Sequence, residues 1–346
     1  MSKEPVLQGQ AHSDRNPNTY LQNGREYGRE YEYLFPCDQL EMDKQGLLHY
    51  AVLHRMGGKA FTAPVHLWRK KDPAEASTNG NQPRAGRQVL DLGTGTGLWA
   101  TTMAELYRDV QIFAVDLFDF QHPRQIYENT WFSGHIDIEE SWEKLYKFLD
   151  WAVERRRAQG FHDFSLSHNN WDLIYARTLN GSIRDRRQLY RRIFEHLTPG
   201  FGYVELVEID WMPRSDDNTL PEKSYFVEWA HELHKAMEKA GRDIRIDPNT
   251  CNILREEGYV DVQEKTMKLY HNPWLTGGDD ETIGRWFNLT LTHGLQGMSM
   301  APFTRYLGWT PDQVNKFVDK VRHEICLLRH HGYCTLHVWT AKRPSN

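Results

Sequence analysis

From position 91 the chain reads DLGTGTG, an aspartate followed by glycines at alternate positions, Gly93, Gly95 and Gly97. Glycine enters left-handed backbone freely and lets the main chain approach a ligand with no side chain in the way. Directly after the apolar run QVLDL, such a turn reads as a ligand loop at the end of a strand, with Asp91 supplying negative potential beside it. Two common ligands do not fit the spacing. A dinucleotide loop, G-x-G-x-x-G, counted from Gly93 needs glycine at 98, where Leu98 stands. A Walker A loop needs Gly-Lys-Ser/Thr, and the sequence has none. A second acid, Asp116, with Leu117 after it, closes the next apolar run, QIFAV, nineteen residues beyond Gly97. A carboxylate at about that distance accepts ribose hydroxyls in sheets of this kind, through charge-assisted hydrogen bonds.

These residues need a frame. From residue 88 short apolar runs alternate with amphipathic stretches: QVLDL, GLWATTMAELYRD, QIFAVD, TWFSGHID, EESWEKLYKFLDWAVERRRAQG, WDLIYAR, RDRRQLYRRIFEHL and FGYVELVEID. That rhythm predicts a parallel sheet with helices on both faces. In such sheets ligands bind beyond the carboxyl ends of the strands, where the strand order reverses, so the glycine loop is the place to look. Ahead of the sheet, Asp38 and Glu41 have capping-box spacing, and Gly57-Gly58 ends the helix between them. Leu40, Leu47, Leu48, Ala51 and Val52 form its predicted apolar stripe. Residues 1–18 and the polar stretch 70–87 have nothing to bury and read as a tail and a loop. Beyond residue 220 helices dominate, around SYFVEWAHELHKAMEKAG, NILREEG, DETIGRWFNLTLTHGLQGM and PDQVNKFVDKVRHEICLLRH. Strands are predicted at VDVQEKTMKLY and YCTLHVWTAKRP.

The spacing D-x-G-x-G-x-G resembles that of class I S-adenosylmethionine (SAM) methyltransferases. SAM carries an amino acid end, a sulfonium and an adenosine. A helix N-terminus suits its carboxylate, and acids suit its cations and sugar. The resemblance makes Asp91, Gly93, Gly95, Gly97, Asp116 and Leu117 the expected cofactor contacts. Asp137 and Ile138, after the third strand, would meet the adenine, and Tyr175 to Arg177, after the fourth, would border the methyl donor. The likeness runs further. FPCDQLEMD, VLDLGTGTGLWA, WDLIYART, LYRRIFEHLTPGFGYVELVEIDW, GRWFNLTLTHGLQGMSMAPFTR and YCTLHVWTAKRP together look like the LaeA-like methyltransferases of filamentous fungi. That family implies nuclear regulators of secondary metabolism and development, acting with velvet-family proteins. Other relatives imply tailoring enzymes that methylate small molecules. A scaffold that binds SAM without catalysis is a third reading.

The resemblance also implies a fold: α/β, a class I Rossmann-like seven-stranded sheet with N-terminal helices and a helical lid inserted between strands 6 and 7. One methyltransferase domain would span 19–346, with its core at 88–270 and 330–346 and its lid at about 272–330. Methyl transfer needs a base only if the acceptor must lose a proton. Candidates are Tyr175, Glu205, Glu208 and Asp210 near strand ends, and His293 in the lid; the sequence does not single one out. Trp99, Trp211 and Trp286 could line an acceptor pocket.

The bulk numbers bound the rest. Net charge is -5 and the sequence pI is about 6.4, which argues against a tight nucleic-acid binder. IYART, rather than a D-P-P-Y-like sequence, follows the fourth strand, so methylation of nucleic-acid bases is not expected. The basic run with Arg184, Arg186, Arg187, Arg191 and Arg192 reads as a solvated helix face. HELH, with His231 and His234, lacks H-E-x-x-H spacing, and no metal is expected. Cys37, Cys251, Cys326 and Cys334 form no C-x-x-C pair and suit reduced thiols in nucleus or cytoplasm. No signal peptide or membrane span is read from the chain.

Overall fold

The computed structural model describes residues 18–29, 32–65, 87–119, 127–162, 165–221 and 223–345. The predicted tail, 1–18, up to residue 17, and the predicted polar loop, 70–87, up to residue 86, lie outside them. The chain opens with a hairpin, β1 (Thr19–Gln22) against β2 (Arg25–Gly28), paired antiparallel. Asn23 and Gly24 make its turn, with φ of 51° and 78°. Left-handed backbone at both central residues is what a two-residue hairpin turn demands, and Asn-Gly supplies it. Helix α1 (Gln39–Arg55) follows. Where several helices are expected ahead of the sheet, the described residues hold one hairpin and one helix. Half of the expected capping box forms: Asp38 accepts the Glu41 N–H (3.1 Å), while Glu41 turns to Lys44 and Gln45. Leu48, Ala51 and Val52 are buried as expected, but Leu40 is 53% exposed.

The sheet then builds through β3 (Gln88–Leu92), α2 (Leu98–Leu106), β4 (Gln111–Val115), β5 (Thr130–Ser133), α3 (Glu143–Ala158), β6 (Leu173–Arg177), α4 (Arg186–His196) and β7 (Tyr203–Ser215). Helices α5 (Tyr225–Lys239) and α6 (Thr250–Glu256) lead to β8 (Val260–Tyr270). Helix α7 (Gly278–Pro302), a π-helical turn (Phe303–Leu307) and α8 (Pro311–Ile325) precede β9 (Gly332–Lys342). The strand order is β5-β4-β3-β6-β7-β9-β8. The first five strands are parallel, and β9 runs antiparallel to both its neighbours. This is the seven-stranded class I order. The chain reverses direction across the sheet between β3 and β6, which is where a crevice opens.

The strands alternate between two cores, as their period of two requires. Val89, Ile112, Leu173, Tyr175, Val207 and Ile209 face α1, α2, α5, α7 and α8. Leu90, Leu92, Phe113, Ile174, Val204 and Leu206 face α3, α4 and α6. The third predicted strand is shorter than expected: β5 ends at Ser133 and Asp137 lies in the loop beyond it. The insertion between β8 and β9 packs α7 along α1. Their backbones come close because Gly294 and Gly297 leave room for Lys44 and Arg25. Arg25 ties hairpin, α1 and α7 together, forking onto Asp38 (2.7 and 2.8 Å) and reaching Gln296 (2.6 Å). No described helix is long and apolar enough to cross a membrane.

Candidate functional site

A cavity of about 660 Å³ opens at the carboxyl ends of β3, β4, β6 and β7. Its floor is the glycine turn, Gly93 to Thr96. Gly93, Gly95 and Gly97 have φ of 68°, 56° and 73°, left-handed values at which a side chain is strained. The N–H groups of Gly93 and Thr94 both donate to the Val115 carbonyl (2.9 and 3.0 Å), which pins the turn to the end of β4. Gly97 is the N-cap of α2 and lies just behind the lining.

Two acids hold the turn. Asp116 lines the cavity and accepts the Gly95 N–H (2.7 Å) and the Phe118 N–H (3.2 Å). Burial pushes its carboxyl up to about 6, against the pull of those N–H groups. Asp91 sits one layer back, buried in β3, and accepts the Thr94 hydroxyl (2.6 Å). Burial pushes it up to about 7; Thr94 and the Arg177 charge pull the other way. Leu117, Asp137, Ile138 and Arg177 line the cavity as the sequence suggested. Asp137 also accepts the Glu139 N–H (2.8 Å), a turn-capping bond. Arg177 approaches His49 Nδ1 (3.4 Å), and burial pushes that imidazole down to about 3, so it stands neutral beside the guanidinium.

Several sequence candidates land elsewhere. Tyr175 is buried and stacks flat on Trp99, with ring centroids 3.9 Å apart and 5° between planes. It is absent from the cavity lining because it lies two residues before the end of β6, on the parity that faces α1 and α2; Arg177, at the strand's end, reaches the opening. Burial pushes its phenol up, further from use as a base. His293 lies on the exposed side of α7, facing a shallow surface groove with Leu40 and Arg322, not the cavity. Glu205 is fully buried and accepts the N–H groups of Thr62 (2.7 Å) and Ala63 (2.6 Å), so it fixes a loop. Asp210 pairs with Arg214 (2.6 Å). Glu208 does line the cavity, and is buried. Of the tryptophans, Trp211 lines the cavity, Trp99 is core and Trp286 packs tilted against Tyr50 (centroids 5.2 Å apart, 32° between planes).

Other lining residues carried no local signal. Glu41, Lys44, Gln45 and Leu48 reach in from α1, and Arg242, Ile244 and Met298 from loops and α7. Their chemistry is plain only once α1 lies over the glycine turn; a Cβ on Gly95 would collide with the Gln45 side chain. Met298 is the residue through which the inserted helices reach the cavity, so α1 forms more of the cover than the expected lid does. Three cations of the lining are matched by acids: Lys44 by Glu41 (2.5 Å), Arg242 by Glu139 (3.2 Å) and Arg184 by Glu32. The basic face of α4 is also occupied. Arg187 and Arg191 bind Glu257 (2.5 and 2.8 Å), Arg186 reaches the Asp243 and Arg245 carbonyls, and Arg192 the Ile138 carbonyl. Among the described residues no group of three or more His, Cys, Asp or Glu side chains could hold a metal ion.

Comparison with known proteins adds to this geometry. A family model described as a methyltransferase domain matches residues 66–259. Over 332 residues the chain is 35% identical to the secondary metabolism regulator laeA of Fusarium oxysporum f. sp. lycopersici, covering 94% of this chain and 92% of that relative. The secondary metabolism regulator laeA of Gibberella zeae is also 35% identical, over 93% of this chain and 92% of its own. A solved phosphoethanolamine N-methyltransferase 2 of Haemonchus contortus, in complex with SAM, aligns with 92% of this chain and 62% of that one. Its identity is 15% and its TM-score 0.38, a slight likeness.

Proposed function

The chain belongs to the LaeA-type secondary metabolism regulators and is a SAM-dependent methyltransferase, and on that premise we propose that the cavity beyond β3, β4 and β6 holds SAM together with the methyl acceptor. The residues present fit the cofactor. The bare turn at Gly93 to Thr96 leaves main chain open to its amino acid end, and the N-terminus of α2 at Gly97 favours that end's carboxylate. Asp116 keeps free lone pairs beside its two N–H donors, enough for ribose hydroxyls. Leu117, Asp137 and Ile138 line the side where an adenine would lie. Asp91, buried and one layer back, supports the ligand's positive charges, and Arg177 borders the reacting end.

Bound there, SAM supplies an activated methyl group for in-line displacement. The chain's own part is alignment and exclusion of water, and alignment can lower a barrier by about 7 to 11 kcal/mol. The observation that carries the reading is the pair of acids, Asp91 buried and Asp116 half-buried, that hold one glycine turn at the point where the strand order reverses. Titration calorimetry tests it. The unaltered chain should bind SAM and its demethylated product, S-adenosylhomocysteine. Gly95→Asp should bind neither, since its φ of 56° and the neighbouring Gln45 leave no room for a side chain. No heat with either ligand, alongside a clear signal from a nicotinamide compound, would overturn the reading.

The family likeness further supports a regulatory methyltransferase that works with a velvet-family partner, in the nucleus or cytoplasm, on a protein or small-molecule acceptor. Affinity capture of the tagged chain from its source organism should recover a velvet-domain protein; recovery of general chaperones alone would count against it.

A further inference from the structure

Glu208 stands on β7, across β6 from the glycine turn, and lines the cavity. Its Oε1 accepts two consecutive main-chain N–H groups, from Leu179 (2.8 Å) and Asn180 (3.1 Å). The residue before them, Thr178, leaves β6 with φ of 53°, a left-handed value that a β-branched residue holds only when its surroundings enforce it. Thr178 N–H donates to the Val207 carbonyl (2.8 Å). Three successive N–H groups are thus fastened to β7, two of them by one side chain. Leu179 then reaches back across the cavity floor. A Cβ on Gly93 would stand 2.5 Å from Leu179 Cδ2, so the leucine fills the space that glycine leaves. The first residue of the glycine turn is therefore held between the Val115 carbonyl and Leu179.

Elsewhere glutamates do the same mechanical work without touching the cofactor loop. Glu205 takes the N–H groups of Thr62 and Ala63, Glu139 those of Arg184 and Asp185, and Glu324 those of Tyr225 and Phe226. Glu208 differs in what its turn abuts. We propose that Glu208 is a positioning residue for cofactor binding: its carboxylate fastens the turn from Thr178 to Asn180, and Leu179 in that turn props the Gly93 end of the glycine loop. The assignment rests on the reading of the cavity as a SAM site. It also separates Glu208 from a base. Burial pushes its carboxyl up to about 7 while the two N–H groups pull it down, and either protonation state leaves an oxygen for both donors.

Three variants test this: Glu208→Gln, Glu208→Ala and Leu179→Ala. Amide hydrogen exchange on ligand-free protein reports the clamp, and calorimetry with S-adenosylhomocysteine reports its effect. The amide oxygen of Glu208→Gln can take both N–H groups, so this variant should keep the protection of Leu179 and Asn180 and bind within about threefold of the unaltered chain. Glu208→Ala should lose that protection and bind about tenfold or more weakly, as a buried donor left unpaired would cost. Leu179→Ala should keep the Asn180 protection yet bind about as weakly as Glu208→Ala. Unchanged binding in Glu208→Ala or Leu179→Ala would overturn the proposal. So would equal losses in Glu208→Gln and Glu208→Ala, which would mean that the ligand reads the charge directly. If the unaltered chain binds no S-adenosylhomocysteine, the cavity reading fails and this role in cofactor binding falls with it. The exchange measurement still judges the clamp alone, and unprotected Leu179 and Asn180 amides in the unaltered chain would refute that.

Discussion

Replacing Asp91 with asparagine should make the ligand-free protein more stable and the cofactor bind more weakly. Asp91 is 3% exposed, and its side-chain bond is to the Thr94 hydroxyl. Burial holds its carboxyl at about 7, against an ordinary 3.8. The folded chain therefore keeps a proton that the unfolded chain releases, and stability falls as pH rises from about 4 through about 7. Asparagine retains an oxygen for Thr94 and does not titrate. At 1.36 kcal/mol per pH unit, the linkage relation puts the unaltered chain about 2 kcal/mol below the variant at pH 5 and about 4 kcal/mol below it at pH 8. Urea denaturation of ligand-free protein across that range measures the gap, which should widen by about 2 to 3 kcal/mol. A gap that stays flat with pH, or a variant less stable than its parent at pH 8, would refute the argument that an unmatched charge is buried here. Calorimetry on the same samples should show weaker S-adenosylhomocysteine binding, the usual exchange of stability for function at a site that holds a charge.

Two further substitutions separate core from site. Tyr175→Phe should leave cofactor affinity and turnover near those of the unaltered chain, because the ring packs on Trp99 away from the cavity, whereas Tyr175→Ala should cost about 3 to 5 kcal/mol in denaturant melts; a large fall in turnover with Phe alone would return the hydroxyl to the chemistry. Arg25→Ala should cost about 2 to 4 kcal/mol by removing the buried side of a partly buried ion pair that joins hairpin, α1 and α7. A melting temperature unchanged by Arg25→Ala would mean that α1 is held without that fork.

The glycine-turn side of the cavity was legible in the sequence because its signal is local. Gly93, Gly95, Gly97, Asp91 and Asp116 sit at strand ends, and alternation of apolar runs places strand ends well. Parity was harder. Tyr175 and Arg177 lie on the same face of β6, yet only Arg177, the last residue of that strand, clears the helices that cover it. A reading that treats a strand end as a patch three residues wide cannot separate them. His293 was misplaced for a different reason: an inserted helix has an inner and an outer side, and which one faces the cavity depends on packing between α1 and α7 that no local pattern encodes. The same holds for Lys44 and Gln45, which look like ordinary polar helix residues until α1 crosses the glycine turn. The hairpin was within reach, since Asn23-Gly24 between alternating residues is a strong turn signal.

The position of β9 has a consequence for how the chain is made. It lies between β7 and β8 and is the partner that joins β8 to the sheet. About sixty residues separate the end of β8 from the start of β9, so at ordinary ribosomal speed β8 waits roughly 3 to 12 seconds after its synthesis before its neighbour emerges. Through that interval β7 presents an unfilled edge and β8 a loose eleven-residue segment, both open to the wrong neighbour. Until β9 emerges, two strands of one sheet lack the neighbour they share.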